Sequence, residues 1–474
     1  MSRVLSLLLT WGCVVYEVAA APAVSASLLG AQAPAKLSGL WRTEGYGYLI
    51  QVVGDSLKAF EVTDLSCIPG FRAHQIEQDG SRVVFQREDY PLTFEFIADK
   101  GSADQGRIYY DGITSSYMIV HRVDSLPAIC DRTTADDPTT TFDVFWETYR
   151  EHYPFFHLKH VDWRATRDLF RPRVVHASPR ELFDVLRLMI EQLHDHHTYI
   201  DATTTDTSLS YGGEPPDPDP IGDAGRARAL EIIKNRFLVV PLRSWCNDQV
   251  SFGMLRGSIG YLRLTSFWGY VADGDYAANR RALDAALDTI FASTAGWRGL
   301  IIDVRLSRGG VDPFGLAIAS RLATASYTAY AKVARRDPND PMLMTPPQPI
   351  TVVPSTRPGW HGPVVELTSR YSVSAVETFT QALMGRRPGV ERIGENTMGA
   401  FSDVGDRHLP NGWTFGLPNE LFLNERGTSF DGSGIPPTIA VPTLRTADLA
   451  PGGDPGLDRA IAVLSAGRVD SPRK

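Results

Sequence analysis

Ser374 stands where a buried strand gives way to a helix. Pro363 to Thr368 is a short, mostly apolar run after Gly362, the pattern of a buried strand. Beyond it Ala375, Val376, Phe379, Leu383 and Met384 recur at helical spacing. A hydroxyl at such a junction lies among the unpaired amides of a helix N-terminus, which favour developing negative charge. An acyl-transfer nucleophile uses that environment. The same residues also spell an ordinary cap, because Ser374 and Glu377 form a Ser-x-x-Glu capping box that opens many helices without chemistry. Acyl transfer needs three more things: a base, a group that orients the base, and amides for the oxyanion. The chain offers His197 as base, Asp431 as orienter, and the Gly310 and Ala375 amides as oxyanion donors. Glycine at 309 and 310 lets the backbone approach a substrate closely. Ser372 is the alternative nucleophile, without the small residue and helix that follow Ser374.

Two other chemistries compete. His194, Asp195, His196 and His197 are contiguous and leave a metal-dependent hydrolase open, but no His-Glu-x-x-His or paired-cysteine spacing supports it. A non-catalytic ligand- or peptide-binding module on the same fold is the other alternative. The expectation is a serine-type endopeptidase with no metal and no cofactor, acting on peptides or proteins.

The elements that must position these residues fall into four stretches. Residues 37–130 alternate in short bursts, with strands expected over Tyr46 to Val53, Leu57 to Thr63, Val83 to Arg87, Leu92 to Ile97 and Tyr117 to Val120, which makes a small all-β domain. Residues 138–223 form a helical segment carrying His197. Its helices are expected around Phe142 to Tyr149, over Trp163 to Phe170, and after the capping box Ser178-Pro179-Arg180-Glu181. An acidic, proline-rich loop follows, and the next clear strand is at Ile259. Residues 224–445 alternate strand and helix, the mark of a mainly parallel sheet covered by helices. Sites in such sheets lie at the carboxyl ends of strands, where Gly309-Gly310 and Ser374 both fall. Residues 446–474 read as a C-terminal tail.

The 474 residues are 43% hydrophobic and 22% charged, with net charge −8 and a pI near 5.8. That balance argues against nucleic acid or an anionic membrane as main partner. Arg3 precedes a short apolar run and small residues follow, so residues 1–26 read as a secretory signal peptide and the protein as exported, periplasmic or secreted. The run is too short to span a bilayer, and no later run reaches that length. Four cysteines are present. If Cys13 leaves with the signal, Cys67 and Cys130 bracket one β-rich region and are expected to pair, leaving Cys246 as a buried thiol.

Six pieces stand in an order that resembles the tail-specific (C-terminal processing) serine protease family, in the branch of the tricorn protease core and the interphotoreceptor retinoid-binding protein. They are Asp195-His196-His197-Thr198, Ile259-Gly260-Tyr261-Leu262, Ile301 to Arg305 with Gly309-Gly310, Ser374-Ala375-Val376-Glu377, Gly394 to Gly399, and Gly434-Ile435-Pro436-Pro437. The resemblance covers roughly residues 140–442. It implies a core of crotonase-like ββα units, a Ser-His-acid arrangement on Ser374, His197 and Asp431, and a site role for Glu377. The chain departs from the family at three points. Ala400 stands where the processing branch has its lysine base, Leu306 where a glycine is usual, and Asp431 where the tricorn-like branch has a glutamate. The gap after His197 is too short for the family's PDZ insertion.

Overall fold

Residues 37–89, 92–110, 115–203, 208–214, 217, 219–449 and 452–466 are described by a computed structural model. The signal-peptide reading of residues 1–26 lies outside them.

The N-terminal stretch closes into an antiparallel barrel of eight strands. They are β1 (Gly39–Thr43), β2 (Tyr48–Val53), β3 (Ser56–Val62), β4 (Cys67–Asp79), β5 (Arg82–Arg87), β6 (Thr93–Ala98), β7 (Gln105–Tyr110) and β8 (Tyr117–Val123). β1 pairs with β8 and leaves the barrel no open edge. Alternate residues point inward, and Trp41, Phe71, Phe85, Phe94 and Phe96 fill the interior with rings. Five of these strands match the sequence expectation. β1, β4 and β7 are additional, and β4 carries Pro69 and Gly70 as its third and fourth residues, types that ordinarily signal a turn. Cys67 and Cys130 form a disulfide between β4 and the turn after β8.

Three helices follow: α1 (Pro138–His152), α2 (Trp163–Phe170) and α3 (Pro179–Glu191). Asp137 and Asp162 cap the first two, and Ser178 with Glu181 forms the expected capping box on the third. Their apolar faces, among them Phe142, Phe145, Tyr149, Trp163, Leu186 and Met189, pack against Phe415 and Leu417 from far along the chain. β9 (Tyr199–Asp201) and β10 (Ser210–Gly212) extend a hairpin of β19 (Val404–His408) and β20 (Thr414–Pro418) into one sheet, ordered β10-β9-β20-β19. His197 is thereby held between α3 and a strand fixed to the 404–418 hairpin.

The core sheet has seven strands. It begins earlier than Ile259: α4 (Gly222–Ile232) leads through a wide helical turn into β11 (Leu238–Trp245) and β12 (Val250–Leu255). β11 is an edge strand containing Pro241 and exposed on much of its length, so it carries no clear hydrophobic alternation. Then come β13 (Ile259–Leu264), α5 (Tyr276–Phe291), β14 (Gly299–Asp303), α6 (Asp312–Ser320), β15 (Tyr327–Ala334), β16 (Gln348–Val352), β17 (Val364–Thr368), α7 (Ala375–Met384) and β18 (Val390–Gly394). After the β19–β20 hairpin follow β21 (Glu420–Leu423), β22 (Ile439–Ala440), α8 (Thr446–Leu449) and α9 (Pro455–Ser465). The order is β11-β12-β13-β14-β17-β18-β22, parallel from β13 onward. The stretch read as a tail is part of the core: Leu457, Ala460 and Leu464 of α9 are buried against the sheet. No described helix is long and apolar enough to cross a membrane.

Candidate active site

Ser374 ends the turn from β17 into α7 with φ 65° and ψ −130°. An ordinary N-cap is extended, and a left-handed backbone at a non-glycine residue is strained and persists where the surroundings impose it. The surroundings here are specific. The Ser374 amide donates to the Ala400 carbonyl at 3.0 Å and to Glu377 Oε2 at 3.1 Å. Ser374 is half-buried, whereas Ser372 is fully buried, its hydroxyl donating to the Val304 carbonyl and accepting from the Ser369 amide. Ser372 is therefore a structural serine.

The Gly309–Gly310 segment lies against this turn. A β-carbon on Gly309 would stand 2.6 Å from Ser374 Cβ and 3.1 Å from the Ala375 nitrogen. Phe267 donates to the Gly309 carbonyl at 2.7 Å and accepts from Val311 at 3.1 Å, so the Gly310 amide points away from Phe267 and donates to no described residue. Gly310 has φ 144°, and a side chain there would strike the Phe267 backbone. As first residue of α7, Ala375 has no acceptor for its amide within the helix. Leu306, where the resemblance leads one to expect glycine, packs against the apolar cluster that the sheet shares with α4 and α9.

Glu377 is completely buried and does more than cap. Its Oε1 accepts from Gly399 at 2.7 Å and its Oε2 from Ala400 at 2.9 Å, in addition to the Ser374 amide. Burial pushes its carboxyl up to about 7 against the downward pull of Thr397 and these amides. Asp431 is bound to the same loop, with Oδ1 accepting from Phe401 at 3.2 Å and Oδ2 from Ser429 Oγ at 2.6 Å. Burial raises it to about 8, and the neighbouring charges of Asp195 and Glu377 add to the rise.

His197 is buried, and burial lowers its imidazole to about 4 against the attraction of Asp195. Its amide donates to Asp195 Oδ1 at 3.0 Å, and Tyr153 donates its hydroxyl to Asp195 Oδ2 at 2.7 Å. Its Nδ1 is buried without a partner. No hydrogen bond joins His197 to Ser374 or to Asp431 among the described residues. Ser374, Glu377 and Asp431 are thus tied to one loop by its Gly399, Ala400 and Phe401 backbone, with Gly309 packed on Ser374 beside Ala375. His197 lies in the field of Asp403 and keeps an unused ring nitrogen. Sequence reasoning missed the loop itself, Gly399 to Asp403, and the organising part of Asp195. The signal for the loop was the absence of a side-chain base at Ala400, which left its backbone to be considered.

His194, Asp195 and His196 do not converge as ligands. Among the described residues the one grouping of three such side chains is Asp64, Glu147 and Glu151, and Arg150 is within 2.6 to 3.5 Å of all three. A guanidinium in that position already serves the carboxylates.

Residues 258–441 match the peptidase family S41 model and residues 135–191 the tricorn protease C1 domain. The chain thus carries two domains of the kind found in the tail-specific S41 proteases. Tricorn protease homolog 1 of Streptomyces coelicolor is 31% identical over 180 residues, which is 37% of this chain and 15% of that protein. The chain is thus similar to a small part of that relative. A solved structure from Parabacteroides merdae, provisionally assigned as a peptidase, shares 25% identity at a TM-score of 0.58, over 72% of this chain and 100% of its own. Mature CPAF complexed with lactacystin gives a TM-score of 0.51 at 12% identity, over 70% of this chain and 98% of its own, a likeness of fold.

Proposed function

We propose that the protein is an exported serine-type endopeptidase. Ser374 Oγ attacks a peptide carbonyl, His197 takes its proton, and the Gly310 and Ala375 amides hold the oxyanion. His197 then gives the proton to the leaving amine, and water resolves the acyl-enzyme by the same route reversed. The observation that carries this reading is Ser374 itself, held in a left-handed turn at a helix start with Gly309 packed on its β-carbon. His197 makes no hydrogen bond to Ser374 among the described residues, and the reading requires that bond to form as substrate binds, as catalytic hydrogen bonds do tighten in the complex. Asp431 serves as the acid. The role requires His197 to come within hydrogen-bond reach of Asp431 when substrate binds, and an imidazolium brought there would draw the carboxyl's pKa back down. Export is supported by the disulfide between Cys67 and Cys130, a bond kept in oxidising compartments.

The test is digestion of an unstructured polypeptide by the purified protein with mass analysis of the products. Internal fragments that vanish with Ser374→Ala support the reading. Products trimmed one residue at a time from a terminus would replace endopeptidase with exopeptidase, and an intact substrate would remove the hydrolytic reading.

A further inference from the structure

The loop from Gly399 to Asp403 is gripped at both ends. At one end its backbone serves the site, donating from Gly399 and Ala400 to Glu377 and from Phe401 to Asp431, and accepting from Ser374 at the Ala400 carbonyl. At the other end the Asp403 carboxylate meets Lys332 Nζ. Lys332 projects from β15 with its side chain 1% exposed, and its ammonium also lies 2.9 Å from Glu420 Oε2. The Glu420 amide donates to Ser402 Oγ at 3.0 Å, so β21 holds the loop a second time. Glu420 Oε1 accepts at 2.7 Å from the hydroxyl of Tyr46. Tyr46 belongs to the barrel, in the turn between β1 and β2, with a left-handed φ of 60°.

Asp312 extends the network to the oxyanion side. It begins α6 two residues after Gly310, accepts from Thr378 Oγ1 of α7 at 2.8 Å and from the Tyr330 hydroxyl at 3.3 Å, and lies in the field of Lys332, Asp403 and Glu420. A buried ammonium with carboxylates returns little net stability, because desolvation offsets the attraction. Its geometry is strict nonetheless, since removing one partner strands the others. Such a cluster specifies where its members stand.

We infer that Asp403 is a positioning residue of the Ser374 site: anchored by Lys332, it sets the loop whose backbone holds Ser374, Glu377 and Asp431, and the barrel completes the anchor through Tyr46. This rests on Ser374 being the nucleophile, and gives the barrel a part in catalysis. Asp403 also acts through space. The charged and titratable groups facing His197 are Asp195, His196, Asp403 and Lys159. Taking the negative charge from Asp403 disfavours the imidazolium and lowers the pKa of His197 further.

The experiment compares Asp403→Asn, Tyr46→Phe and, as control, Glu77→Gln on the barrel surface with the wild type. It reads melting temperature, the rate at which a fluorophosphonate labels Ser374, kcat and KM on a peptide, and the acid limb of kcat/KM. Asp403→Asn is expected to fold, to label about tenfold or more slowly and to lose kcat in the same proportion with KM within about twofold. Its acid limb moves to lower pH. Tyr46→Phe shows a smaller loss of kcat in the same direction, and Glu77→Gln behaves as wild type. Folded Asp403→Asn with wild-type labelling, kcat and acid limb overturns the inference and leaves the nucleophile standing. If Asp403→Asn does not fold, Tyr46→Phe decides, and wild-type kcat in that variant overturns the inference. A wild type that is not labelled at Ser374 overturns both.

Discussion

Gly309 and Ser374 are packed so closely that a β-carbon on the glycine would come within 2.6 Å of the β-carbon of the serine. The segments that follow β14 and β17 meet at this contact, and the left-handed φ of 76° at Gly309 is one that an alanine adopts only with strain. Gly309→Ala is therefore expected to displace the serine or the oxyanion segment by a fraction of an ångström to an ångström and to lower kcat/KM by about a hundredfold or more. Kinetics on a peptide substrate, with a melting curve to establish folding, checks this. Wild-type turnover in the alanine variant would show that the contact has slack.

Ser372 and Ser374 are separated by one residue but are expected to respond oppositely. Ser372→Ala removes a buried hydroxyl that bridges Val304 and Ser369 and should cost about 1 to 3 kcal/mol of stability with activity retained. Ser374→Ala should keep its fold and lose several orders of magnitude in rate, because nucleophile and base fail as a unit. Denaturant titration and initial rates on both variants separate the two effects.

Burial of His197 moves the expected pH dependence. An unperturbed imidazole would lose its base function below about pH 6.5, whereas His197 is lowered to about 4. As pH falls through that lower value the imidazole takes up a proton and cannot accept one from Ser374. The acid limb of kcat/KM is expected near pH 4, in protein shown by its melting curve to be folded there. A limb near about pH 6.5 would place the base elsewhere or in a wetter setting.

Asp431 gives a stability signature of opposite origin. Its folded pKa, about 8, lies above the unfolded value. Between the two the native state binds more protons than the unfolded chain, so this group makes stability fall as pH rises, and its slope ends above about pH 8. Asp431→Asn removes that slope and should gain stability relative to wild type as pH is raised from about 5 to 8, while losing activity. Urea unfolding across this range measures the difference. A constant gap between the two proteins would mean that Asp431 titrates normally.

The strand–turn–helix around Ser374 was legible because two periodicities change at one point, from the apolar run before Thr368 to the spacing of Val376, Phe379 and Leu383. Helix α3 was legible because Ser178, Pro179 and Glu181 are a strong local signal. Barrel closure was not, since β1 and β7 are short and β4 contains Pro69 and Gly70 among its first residues, which read as a turn. The grip on the active-site loop was hidden for another reason. Asp403, Glu420, Lys332 and Tyr46 come from four distant stretches, and pairing of that kind has no local pattern. One clue stood in β15, where Lys332 shares the buried face of Tyr330 and Ala334, an unusual place for an ammonium without partners. The unpaired Nδ1 of His197 was equally out of reach, because the bonds of Asp431 to Phe401 and Ser429 are set by tertiary placement and leave no local pattern.

The central claim is that Ser374 is the nucleophile, and active-site labelling tests it most directly. The folded protein is treated with a fluorophosphonate at neutral pH, digested, and the modified residue located by mass spectrometry. The account predicts a single adduct on Ser374, retained in Ser372→Ala and lost in both Ser374→Ala and His197→Ala. An adduct on another residue, or folded protein that hydrolyses peptide yet carries no adduct at Ser374, would contradict it.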